Sequence, residues 1–123
     1  MRQVKRRTIP NLRVGVIALA ALLTLASTQA LGATRASTDQ VKMLDFKFVL
    51  SAKTVKRGLV VFKLKNAGEA THNIKIRGKT SKLLNPGQAG QLAVTFLKPG
   101  RYPYVCTVPG HALLGMKGVL TVK

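Results

Sequence analysis

The only cysteine of the chain, one of its two histidines and a methionine fall within eleven residues, Cys106-Thr-Val-Pro-Gly-His111-Ala-Leu-Leu-Gly-Met116, a C-x4-H-x4-M pattern. A thiolate, an imidazole and a thioether form a soft ligand set, which selects copper or, less well, zinc. With a second imidazole, a trigonal His-His-Cys site with a long axial Met is the arrangement of blue-copper electron-transfer centres. That imidazole has one source, His72, the only other histidine of the chain. Pro109, Gly110 and Gly115 give the intervening loop the turns needed to bring three side chains of one segment to a single point. Taken singly, Cys106 reads as a small buried hydrophobe, His72 as a satisfied core histidine and Met116 as a gap filler. Taken together they fill every position of one ligand set and leave none missing.

Composition narrows the alternatives. The 123 residues hold 21 Lys/Arg and only 3 Asp/Glu, a formal charge of +18. The acidic residues Asp39, Asp45 and Glu69 are far apart in sequence, which argues against paired-carboxylate catalysis. A single cysteine excludes a Cys-only zinc site and an intramolecular disulfide. The charge suggests nucleic acid, an anionic membrane or an acidic protein as partner. No helix-turn-helix pattern is present, and of the aromatic residues Phe46, Phe48, Phe62, Phe96, Tyr102 and Tyr104 most point inward, so a nucleic-acid partner is not expected.

Residues 1–13 carry five basic residues, residues 14–26 (VGVIALAALLTLA) are apolar, and small and polar residues follow. This is the pattern of a secretory signal peptide over 1–32, which implies export to the periplasm or to the outer face of the cytoplasmic membrane. An uncleaved anchor is the alternative, because residues 14–34 form a charge-free stretch of 21 residues. Ser27, Thr28 and Gln29 interrupt that stretch and favour cleavage. The exported part keeps 16 Lys/Arg against 3 Asp/Glu, a charge of +13. At about 90 residues its core is only just sufficient, so a bound metal would act as a staple.

From residue 41 onward the hydrophobic pattern has period two, broken by turn residues every eight to twelve positions. Leu44, Phe46, Phe48 and Leu50 share one face of a first strand, with Asp45 and Lys47 on the other. Val60, Phe62 and Leu64 line a second. After the turn at residues 66–69, Ile74 and Ile76 face inward while Asn73, Lys75 and Arg77 face out, a register that turns His72 to the apolar side. Leu92, Val94 and Phe96 define another inward face, then Tyr102, Tyr104 and Cys106, and residues 118–123 supply a short last strand. The expectation is an all-β Greek-key sandwich of seven to eight strands over residues 40–123, with 33–39 a loose tail.

The segments VKRGLVVFKLKNAGEATHNIKI and PGRYPYVCTVPGHALLGMKGVLTVK resemble the first-ligand segment and the ligand loop of the cupredoxins, the plastocyanin and azurin family of small blue-copper proteins, and the resemblance spans residues 44–123. It implies one type 1 copper held by His72, Cys106, His111 and Met116. Asn73 takes the place of the family's Asn that ties the two ligand segments together, with Thr107 as its partner. The loop spacing is most similar to the auracyanin and rusticyanin type, and Thr71 stands where azurin has a glycine, so an azurin-like fifth ligand is not implied. Related copper enzymes need further histidines for a second copper, and this chain has none left, which implies a one-electron carrier and no enzyme. Electrons would leave through the edge of His111, within an apolar docking patch of Pro109, Ala112, Leu113 and Leu114. Lys117 and other basic residues would steer an acidic redox partner to a monomeric protein, whose membrane association would be peripheral or anchored. An extracytoplasmic copper store or delivery protein is the alternative function.

Overall fold

The structure, a computed structural model, describes Pro10, Asn11, Gly15 and residues 35–123. The signal peptide expected over residues 1–32, with its exit at residue 32, lies outside the described residues except for Pro10, Asn11 and Gly15. Gly32–Lys123 forms a compact unit of its own. Among the described residues there is no α-helix, and no helix long and apolar enough to cross a membrane.

Two sheets pack face to face. The first holds four strands in the order β2-β1-β4-β7, namely β1 (Ser37–Leu44), β2 (Lys47–Leu50), β4 (Gly58–Asn66) and β7 (Ala89–Phe96). The second holds five in the order β3-β9-β8-β5-β6, with β3 (Thr54–Val55), β5 (Lys75–Ile76), β6 (Lys79–Thr80), β8 (Gly100–Val105) and β9 (Lys117–Val122). The chain crosses between sheets after β2, β3, β4, β6 and β7, and β1 and β4 pair in parallel although most ladders are antiparallel. The all-β sandwich is as the periodicity requires. The nine strands exceed the expected seven to eight because β3, β5 and β6 are two-residue segments too short to leave a periodic trace.

The alternation GLVVFKLKN makes β4 a strand that buries Val60, Phe62 and Leu64 on one side and turns Lys63 and Lys65 out. Phe62 meets Phe96 of β7 edge to face, with centroids 6.4 Å apart. Full burial of side chains of this size contributes on the order of 1.5–3 kcal/mol each. Ile74, Ile76, Tyr104, Leu120 and Val122 supply the opposing layer, and all are buried.

Three sequence expectations are corrected. Strand β1 begins at Ser37, so residues 37–39 are not loose tail: Asp39 is fully buried and accepts hydrogen bonds from Ser51 Oγ at 2.6 Å and Ala52 N at 2.9 Å. Residues 44–50 are not one strand. They turn at Asp45-Phe46, where Phe46 takes φ of 63°, and the Phe46 ring leaves the core to stand partly exposed. Asn73 is buried rather than outward, because it follows an isolated bridge at His72 and precedes β5, where strict alternation does not hold.

Candidate metal centre

Three connections bring the site together. The β1–β2 turn supplies Asp45 and Phe46, the segment between β4 and β5 supplies His72, and the β8–β9 loop supplies Cys106, His111 and Met116. His72 is fixed by a two-way backbone pair with Leu84, the His72 N–H donating to Leu84 O at 3.1 Å and the Leu84 N–H to His72 O at 2.8 Å. The β8–β9 loop is closed by its own amides. Met116 N donates to His111 O at 3.1 Å and Cys106 N donates to Met116 O at 3.0 Å, so the three side chains of the C-x4-H-x4-M segment are tied to one another through backbone. Gly115 takes φ of 106° here, a left-handed conformation that costs a glycine little.

The donor atoms converge. His72 Nδ1 and His111 Nδ1 face each other 3.1 Å apart, and Cys106 Sγ lies 3.6 Å from His111 Nδ1. The ligand atoms of these three residues all lie within 4.8 Å of one another. His72, Cys106 and Met116 are buried, whereas His111 is half-buried and keeps an edge toward solvent. Two ring nitrogens and a sulfur aimed at one another in a largely apolar setting fit a soft cation better than they fit each other.

The surrounding contacts hold these groups in place. Asn73 Nδ2 donates to Thr107 Oγ1 at 2.6 Å, and Thr107 N donates to Asn73 Oδ1 at 2.8 Å, which staples the His72 segment to the Cys106 loop. This pairing is the one expected from sequence. Leu113 and Leu114 are strongly exposed, with Pro109 and Lys117 also at the surface and Ala112 half-buried.

Two site residues escaped sequence reasoning. The Phe46 ring packs edge-on against the His111 ring at 5.1 Å, and the Asp45 carboxylate lies 2.8 Å from His72 Nε2. Asp45 accepts hydrogen bonds from the backbone N–H of Glu69 and of Ala70. Those amides, followed by the His72 ring, hold the Asp45 carboxyl down at a pKa of about 2. In the sequence both residues looked like members of an unbroken strand, and only a turn at residues 45–46 would have signalled otherwise.

Residues 15–122 match the family model of the cupredoxin-like domain. The chain belongs to the cupredoxin family. His72, Cys106, His111 and Met116 make up the candidate site of this cupredoxin for one copper ion. Among solved structures it is similar to dithionite-reduced auracyanin from Roseiflexus castenholzii, with a TM-score of 0.60 and 25% identity over 72% of this chain and 99% of that one. Among curated proteins it is 52% identical over 40 residues to auracyanin-B of Chloroflexus aurantiacus, covering 32% of this chain and 17% of that protein. It is also 44% identical over 43 residues to the copper-resistant cuproprotein CopI of Pseudomonas aeruginosa, covering 35% of this chain and 24% of that protein. The matched stretches thus span less than a quarter of either curated relative.

Proposed function

We propose that this cupredoxin is a type 1 copper protein that carries single electrons in the cell envelope. The observation that carries the proposal is the convergence of both histidines of the chain and its only cysteine on one point. A copper ion held there supplies reversible one-electron redox chemistry. The chain's own residues supply the rest. Short backbone ties and the Asn73–Thr107 pair keep the ligands in one arrangement, so little has to move when the charge of the site changes. No histidine remains for a second copper, which favours a carrier over an enzyme. The similarity to auracyanin supports the same assignment.

Met116 is fully buried and would offer its thioether to a bound copper ion. Met116→Leu nearly conserves volume and costs less than about 1.5 kcal/mol of stability. The variant is expected to keep its blue colour and to show a raised reduction potential in protein-film voltammetry, since loss of a thioether ligand would favour the reduced ion. An unchanged potential would remove Met116 from the ligand set.

The partner proposed is an acidic redox protein that docks over Pro109, Ala112, Leu113 and Leu114 and is steered by Lys117 and the general positive charge. Leu113 is 92% exposed and Leu114 62%, a small apolar patch beside the half-buried His111, and weak redox encounters are of this size. Charges beyond about 10 Å are screened at 0.1 M salt, so electron exchange with an acidic partner is expected to slow steeply as salt rises to that level. Stopped-flow rates that do not change with ionic strength would contradict steering.

Copper storage or delivery is the second reading, favoured by the similarity to the copper-resistant cuproprotein CopI. Reversible reduction at a physiological potential supports the carrier, and a site that binds copper but does not exchange electrons supports the store.

A further inference from the structure

Asp45 is one of only three acidic residues in the chain, and it sits where His72 enters the site. Its Oδ1 lies 2.8 Å from His72 Nε2, the ring nitrogen on the far side from the donor atoms of the site. The carboxylate is itself held: Oδ1 accepts from Ala70 N at 3.0 Å and Oδ2 from Glu69 N at 3.0 Å. The turn that presents those amides is built by the fully buried Asn66, which donates from Nδ2 to Ala70 O at 2.8 Å and to Leu84 O at 2.7 Å and accepts from Gly68 N at 2.9 Å. Leu84 is the backbone partner of His72, so one network braces both the ligand and its carboxylate. Gly68 completes the fit, because a Cβ there would run into Asp45 Oδ1 and the Asp45 backbone nitrogen.

We propose that Asp45 is the positioning residue of His72, a carboxylate that fixes the imidazole as its Nε2–H tautomer, leaves the Nδ1 lone pair free for the metal, and favours the oxidised over the reduced ion. The inference rests on the copper reading above. An ionised carboxylate only accepts, so the proton of the shared hydrogen bond belongs to His72 Nε2 and Nδ1 presents a lone pair toward His111 and Cys106. Carboxylate–histidine–metal arrangements orient the ring and raise its basicity. A negative charge one ring away from the metal also stabilises the more highly charged oxidation state, which lowers the reduction potential.

The first test uses the metal-free wild-type chain and needs no variant. Proton–nitrogen NMR is expected to show His72 as the Nε2–H tautomer with that proton protected from exchange; an Nδ1–H tautomer would overturn the proposal. The second uses Asp45→Asn, which keeps an oxygen acceptor and removes the charge. Cu(II) affinity, measured by competition with a chelator, is expected to fall about 10- to 100-fold. The midpoint potential is expected to rise by about 59 mV for each tenfold by which Cu(II) binding weakens relative to Cu(I). A variant that melts earlier yet keeps its Cu(II) affinity and potential would make Asp45 only a brace for the 66–70 turn and overturn the proposal. If the wild type binds no copper, the reading of function fails, while the tautomer measurement still judges the role of Asp45.

Discussion

Cys106→Ser is expected to abolish the intense thiolate-to-copper absorption of the copper-loaded protein while leaving a folded sandwich. Cys106 is 1% exposed and follows the end of β8, where its backbone N–H is already committed to Met116 O. Serine occupies almost the same space, so the backbone ties of the loop survive. The buried hydroxyl costs about 1–3 kcal/mol if it finds no partner. The chemical loss is larger than the structural one, because a hard hydroxyl cannot replace the soft thiolate that selects copper and gives the site its colour. Circular dichroism separates the two effects. A folded Cys106→Ser protein that turned blue would defeat the ligand assignment at its most specific residue.

Copper loading is expected to raise the melting temperature by a large margin. The donor atoms of His72, Cys106 and His111 lie together in the folded chain, and unfolding scatters residues 72 and 106–116. A ligand that binds only the folded state at about 1,000 times its Kd stabilises that state by about 4.1 kcal/mol. For a domain of 60–100 residues each kcal/mol shifts Tm by about 4–8 °C, so the increase is on the order of 15–30 °C. Binding of copper to the unfolded cysteine and histidines reduces that figure. Differential scanning calorimetry with and without excess Cu(II) reads the shift directly. Coincident transitions would mean that the three donors do not form a metal site.

The ligand set was legible in sequence because it lies in one short loop plus the single remaining histidine of the chain. The inward faces of β4 and β7 were legible because Val60, Phe62, Leu64, Val94 and Phe96 alternate without interruption. What sequence could not supply was the surroundings of the ligands. Asp45 and Phe46 obey the alternation of the residues around them, yet the chain turns there, and the turn depends on contacts with residues 66–70, more than twenty positions away. Asp39 looked like a tail residue because a buried carboxylate is rare, and it is tolerated through Ser51 Oγ and the Ala52 amide. Local periodicity reads which face a side chain takes. It does not read which distant backbone amides will hold a carboxylate, whether buried as Asp39 is or exposed as Asp45 is.

The most direct measurement is the visible absorption spectrum of the full chain as Cu(II) is added, followed by ascorbate and then an oxidant. An intense blue band that saturates at one copper per chain, bleaches on reduction and returns on oxidation is the predicted result. A colourless protein, or a band that does not respond to ascorbate, would contradict a type 1 centre built from His72, Cys106, His111 and Met116.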